Sequence, residues 1–324
     1  LIARNKKLLS YLLKLGILIL AGWFIYNQII KDHDNLHKFS LLAANISRTR
    51  VVLTLTAVVL LMLANWGLES LKWLYLSRPL GKMTLWQAIE SVFCGLTWAI
   101  FTPNRFGEYG GRVMYLPIRR RIHGIFAMAV GGFSQNAITN VLGAVAVVWF
   151  MYSFLHPAPW FMAGSILFNI GLIVFMLVFY FKIKWLVRLL NRIKFLHKFH
   201  RFFDIMGKYT TTQLVDIMCF SLARFFAFTL QYYLVIHLFI PDLPAVPLVL
   251  MVFVFLFIQS AIPSFDVVDV AVRGATADKI FGYITDQHIA IVVAVSIIYI
   301  VNIVIPAILG SVFVLNVKFF DRTA

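Results

Sequence analysis

Charge is what this chain has least of. Asp, Glu, Lys and Arg make up 13% of its 324 residues, and 61% are hydrophobic. A soluble domain cannot bury that much apolar surface, and continuous apolar runs of about 18 residues or more mark membrane helices. The alternating apolar and polar segments of about ten residues that a membrane β-barrel needs are missing. Cysteine is nearly absent. Cys94 and Cys219 both sit in apolar stretches without ligand spacing, which excludes a disulfide framework and a cysteine metal site. Acid is scarce even within the small charged fraction: 13 acidic residues face 29 basic ones, for a net charge of +16. In a membrane protein that excess follows from the positive-inside bias and attraction to anionic headgroups, so nucleic acid is not an expected partner.

No nucleophile elbow, Walker loop, pair of catalytic carboxylates or metal spacing occurs. His33, His37, His156, His197, His200 and His288 fall in predicted loops or interfaces, without a partner set. No catalytic residue, metal or cofactor is therefore assigned, and the chemistry leans toward a transporter rather than a covalent catalyst.

What is present predicts an all-α polytopic membrane protein, a single transmembrane domain over 1–324. Six full spans are expected at about 8–30, 51–76, 122–152, 160–181, 210–240 and 287–317. The first has a basic start, but its apolar core is too long for a secretory signal and lacks a small-x-small site, so it reads as a retained anchor. Two further runs, Trp86–Phe101 and Val246–Ile262, would be roughly 24–26 Å long as helices, short of a bilayer core of about 30 Å. Each ends at a proline-containing break followed by a second short helical piece. Both read as re-entrant helical hairpins, giving eight spans if their arms cross fully. Backbone breaks at that depth require cover from protein or a wet cavity.

With the N-terminus inside, the basic residues Arg78, Lys82 and Arg119–Arg121, the eight in 182–208, and Lys318 and Arg322 all fall on the inner side. "LHPAPW" and "PDLPA", on the outer side, have no Lys or Arg. The exception is 31–50, placed outside with four basic and two acidic residues. Segment 182–208 carries Trp185, Leu186, Leu189, Leu190, Ile193 and Leu196 at helical spacing, with Arg188 and Arg192 off that stripe. This describes a basic amphipathic helix in the inner headgroup plane, and a charge cluster that only orients the chain explains the pattern equally well. Both termini are expected to be cytoplasmic.

Two stretches stand out, "FTPNRFGEYGGRVMYLP" (101–117) and "AIPSFDVVDVAVRG" (261–274). With Pro103 laid on Pro263, Glu108 lies close to Asp269 and Arg112 close to Arg273, each one residue out of register; both pairs have acid-x-x-x-Arg spacing and are offset by 161 residues. Three full spans separate them, an odd number, so the hairpins would enter from opposite faces. An inverted repeat with halves of about 51–160 and 210–320 follows, a recurring transporter plan.

An isolated charge at that depth costs several kcal/mol, so it must be paired or hydrated. Acid and arginine at i and i+4 share a helix face and neutralise each other. Glu108–Arg112 and Asp269–Arg273 are thus either clasps within the hairpins or ligand contacts, and the two roles coexist readily. Arg105 adds positive charge suited to an anionic group, and Gly107, Gly110 and Gly111 permit close backbone approach. Arg224 lies alone near mid-span and is expected to face the interior, paired with Asp216, with a hairpin acid or with ligand. Gln135, Asn136, Asn140 and Ser264 are candidate cavity-lining residues, interhelical hydrogen bonding being the structural alternative.

"TPNRFGEYGGR" and "IPSFDVVDVAVRG" resemble the flippase-like family, the membrane region of lysylphosphatidylglycerol synthases and their standalone relatives. The matching positions are Pro103, Gly107, Glu108 and Arg112, then Pro263, Ser264, Asp269, Arg273 and Gly274. The sequence departs from the family pattern at Asp269, where glutamate is usual, and over 265–268, where glycines are usual. The family's soluble aminoacyl-transferring domain has no counterpart here, so synthesis of a lysyl-lipid is not expected.

The resemblance implies a bacterial inner-membrane translocase for an anionic phospholipid or lipid-linked headgroup. Arg105, Glu108, Arg112, Arg224, Asp269 and Arg273 would be its substrate contacts. The partners are then the lipid substrate and the membrane, with a homodimer left open. The rival classes are a membrane glycosyl- or headgroup-transferase acting on a polyprenyl phosphate, with Glu108 or Asp269 as base, and a non-catalytic scaffold.

Overall fold

Helices surrounded by apolar side chains satisfy their own backbone, and they end where the sequence supplies caps or breakers. A computed structural model describes residues 46–100, 102, 105–192, 200–262 and 266–314. It is 86% helix with no strand among the described residues, so the all-helical expectation holds. In chain order the helices are α1 (Arg48–Ser77), α2 (Leu85–Ala99), α3 (Phe106–Val113), α4 (Arg121–Phe150), α5 (Pro159–Phe181) and α6 (Ile183–Arg192). They continue as α7 (His200–Gly207), α8 (Thr211–Phe239), α9 (Ala245–Ala261), α10 (Asp266–Phe281), α11 (His288–Tyr299) and α12 (Ile305–Val314).

Five helical stretches are long and apolar enough to cross a membrane: Arg48–Ser77, Ile118–Leu155, Pro159–Phe181, Thr211–Phe239 and His288–Val314. They fall on five of the six expected spans. The sixth, 8–30, lies outside the described residues, as does most of the 31–50 segment.

Local chemistry sets the helix ends. Capping boxes open α2 and α8: Thr84 and Gln87 exchange side-chain to backbone hydrogen bonds, and Thr210 and Gln213 repeat the arrangement. Pro159 starts α5 at a position where its missing N–H is no loss. A π-helical turn, Ile300–Val304, separates α11 from α12. Pro306 follows it and cannot donate to the carbonyl of Asn302, so the regular ladder is interrupted there.

Both expected helix–break–helix units are present, α2 with α3 and α9 with α10. The packing is reciprocal. α2 of the first unit packs on α12 from the second half of the chain, and α9 of the second unit packs on α4 from the first half. The long helices α1 and α8 pack on each other, α1 also against α2 and α8 also against α9. Trp73, Tyr232, Phe255 and Phe281 are fully buried in the resulting core. α5 sits at the periphery, with Trp160, Leu167 and Phe168 exposed as side chains facing lipid would be.

The 182–208 segment is two helices, α6 and α7, with 193–199 outside the described residues. Ile183 and Val187 of α6 turn into the protein, while Trp185 and Leu189 are exposed beside the exposed Lys184, Arg188 and Arg192. Of the apolar stripe expected from the sequence, Trp185 and Leu189 are thus exposed, and the side chains of Leu186, Leu190, Ile193 and Leu196 lie outside what the structure describes.

Candidate functional site

α1 carries Asn65, Trp66, Glu69, Lys72 and Trp73 at three- and four-residue spacing, all buried. Glu69 is the hub. Its Oε2 accepts from Lys72 Nζ, one turn along the same helix, at 2.8 Å. The same oxygen accepts from Arg224 Nη1 of α8, and Oε1 accepts from Arg112 Nη1 of α3 at 2.5 Å. Three cations from three helices therefore share one carboxylate whose side chain is 8% exposed.

Arg112 also donates through Nη2 to Glu108, the i,i+4 pairing expected from the sequence. Arg105 Nε lies 3.7 Å from Glu108 Oε2. Arg224 is fixed further by Nε donating to Asn65 Oδ1 at 2.9 Å, and by its guanidinium lying 5.3 Å from the Trp66 ring centroid. Gln135 of α4 accepts from Arg224 Nη1 at 3.4 Å and donates to the Ser221 carbonyl at 3.4 Å.

Backbone proximity puts Arg112 in place. α3 lies so close on α2 that a Cβ on Gly111 would stand 2.5 Å from Gly95 Cα, and one on Gly107 would stand 2.2 Å from the Trp98 carbonyl oxygen. Thr102 Oγ1 bridges the break by donating to the Ala99 carbonyl and accepting from Gly107 N at 2.6 Å. Arg105 itself turns the chain in the left-handed region, φ 59°, at a cost of order 1–3 kcal/mol for a residue with a side chain. Strain of this kind persists only where surrounding structure enforces it.

The structure thus brings together Arg105, Glu108, Arg112, Arg224 and Gln135 from the expected set. Asp216 is not the partner of Arg224; it accepts from Tyr75 Oη at 2.6 Å instead. Asn136 is exposed, and Asn140 donates to its carbonyl at 2.7 Å along the surface of their own helix. Arg273 is half-buried on α10. Ser264 and the side chain of Asp269 lie outside what the structure describes, so the second acid–arginine pair does too.

Glu69, Lys72, Asn65 and Trp66 were not singled out from the sequence. The available signal was "WGLESLKWLY", in which an acid and a lysine three residues apart interrupt an apolar span.

No family model, curated protein or solved structure matches the chain. Among the described residues, no group of three or more His, Cys, Asp or Glu side chains is placed to hold a metal ion.

The charge balance decides what such a cluster suits. Lys72, Arg112 and Arg224 outnumber Glu69 and Glu108 by one, and Arg105 adds another positive charge at its edge. A positive excess inside an apolar bundle favours an anion, and guanidinium forks match the oxygens of phosphate and carboxylate.

Proposed function

We propose that the chain is an inner-membrane translocase of flippase-like type, moving an anionic phospholipid or lipid-linked headgroup between leaflets. One observation carries this: Lys72, Arg112 and Arg224 converge on Glu69 within apolar helices and leave excess positive charge. Charges in such a setting mark substrate pathways by default.

The two helix–break–helix units would be re-entrant hairpins entering from opposite faces. Three long apolar helices, Ile118–Leu155, Pro159–Phe181 and Thr211–Phe239, separate them. The reciprocal packing of α2 on α12 and α9 on α4 is what an inverted repeat would produce. In this arrangement Arg112 and Arg224 stabilise the headgroup while the acyl tails stay in lipid. Arg273 would act from the second hairpin. A base role for Glu108 in a transferase fits less well, because two guanidiniums already hold that carboxylate.

Reconstitution into vesicles with labelled anionic lipid tests this proposal. Wild-type protein should move the lipid faster than the Arg112→Ala, Arg273→Ala double variant and faster than protein-free vesicles. Equal rates in all three would overturn it.

A further inference from the structure

The Glu69 carboxylate is held much as a bound anionic ligand would be. Its two oxygens accept from Lys72, Arg112 and Arg224, contributed by α1, α3 and α8. Side chains of the same cluster also hold donors that nothing accepts. Asn65 Nδ2 and Arg112 Nε are both buried and have no hydrogen-bond partner among the described residues. Asn65 is 0% exposed and Arg112 3%, so these donors are turned into the protein rather than toward solvent. Open donors call for an acceptor, and the net charge calls for an anion. A buried donor left unmade carries a real desolvation cost, which an incoming oxygen would relieve.

We propose that Glu69 is the resident anion of this site, a tethered carboxylate that a phosphate-bearing headgroup displaces from Arg112 and Arg224. This deepens the translocase reading and rests on it: the cluster is an exchange centre, with Glu69 occupying the cations while substrate is absent. Ligand and Glu69 compete for the same guanidinium forks. Lys72, one turn away on the same helix, keeps Glu69 paired when the arginines let go. The cluster therefore never holds a bare buried carboxylate, whose isolation would be prohibitive. Glu108 plays a different part. It binds the outer fork of Arg112 and aims that side chain, so Arg112 stays with α3 while its inner nitrogen changes partners.

Competition has a sign that a structural role lacks. Removing a competitor tightens ligand binding, whereas removing a structural contact loosens it. The experiment compares purified wild-type, Glu69→Gln and Glu69→Asp proteins in detergent. Each is titrated with dioctanoyl phosphatidylglycerol, dioctanoyl phosphatidylcholine and inorganic phosphate, and binding is read by native mass spectrometry. Glu69→Gln keeps shape and removes charge, so it should bind the anionic lipid about tenfold tighter, the factor that corresponds to 1.4 kcal/mol. Glu69→Asp keeps the charge but shortens its reach, so its tightening should fall between wild type and Glu69→Gln. Inorganic phosphate binding in parallel would identify the phosphate alone as the recognised group; tightening confined to the lipid would show that the whole headgroup is read.

Folded Glu69→Gln with affinity equal to or below wild type would overturn the competitor role. If Glu69→Gln fails to fold, Glu69→Asp decides, and an unchanged or weakened affinity there overturns it as well. Wild-type protein that binds phosphatidylglycerol no better than phosphatidylcholine would instead remove the anion-site reading beneath it.

Discussion

Arg224 donates to Glu69 across 155 residues of sequence, tying α8 to α1 inside an apolar core. The contact joins the two halves of the chain at the point where the first helix–break–helix unit delivers Arg112. A single carboxylate thus holds together an early span, a broken helix and a late span.

Arg224→Ala should therefore cost far more than an exposed ion pair would. Removing one member of a buried charged network typically destabilises by about 3–5 kcal/mol, because the remaining partner is left uncompensated. Thermal unfolding in detergent should show a large drop, smaller for Arg224→Lys. The exposed pair between His288 Nδ1 and Asp278 Oδ1, 2.7 Å apart, is the contrast. His288→Ala should leave unfolding essentially unchanged.

Gly111→Ala should loosen the first broken unit. Its Cβ would press to 2.5 Å from Gly95 Cα, backbone that cannot rotate away. Overpacking of this kind costs about 1–3 kcal/mol and would draw Arg112 away from Glu69. Gly171→Ala is the matched control, since nothing lies within 4 Å of its added methyl. Thermal unfolding of both variants checks the contrast, with Gly171→Ala expected to be no less stable than wild type.

Thr97 Oγ1 donates to the Ala307 carbonyl at 2.9 Å, just after the π turn and Pro306. Thr97→Val keeps the shape and removes that bond between α2 and α12. A loss of about 1 kcal/mol is expected. Cys94, buried one turn earlier on α2, should react faster with a thiol reagent in the variant if the contact with α12 has loosened.

Lys184, Arg188 and Arg192 form an exposed stripe on α6 beside exposed Trp185 and Leu189. Each cation near an anionic surface contributes about 1 kcal/mol of attraction. Replacing all three with Gln should reduce retention of anionic lipid through purification, measured by lipid extraction. Retention of zwitterionic lipid should not change.

How far the sequence disclosed this molecule depended on the kind of interaction involved. Apolar runs placed five long helices within a few residues, because span length is set by continuous hydrophobicity. The prolines at 103 and 263 announced both breaks, and the Glu108–Arg112 clasp was readable because its partners lie one turn apart. Glu69 escaped because one acid and one lysine in the apolar body of a thirty-residue helix scarcely alter its overall character. The partner of Arg224 escaped for a different reason. Asp216 is near in sequence, whereas Glu69 becomes a neighbour only when α1 packs on α8, and local spacing carries no trace of that.

Lipid movement in vesicles remains the most direct test of the central claim that this buried positive cluster passes an anionic headgroup. Fluorescent phosphatidylglycerol in proteoliposomes, quenched from outside with dithionite, reports the fraction reaching the outer leaflet. Wild-type protein should expose it faster than phosphatidylcholine bearing the same label, and Arg112→Gln with Arg224→Gln should abolish that difference. Equal rates for the two lipids in wild type, or a folded double variant that keeps the preference, would contradict the account.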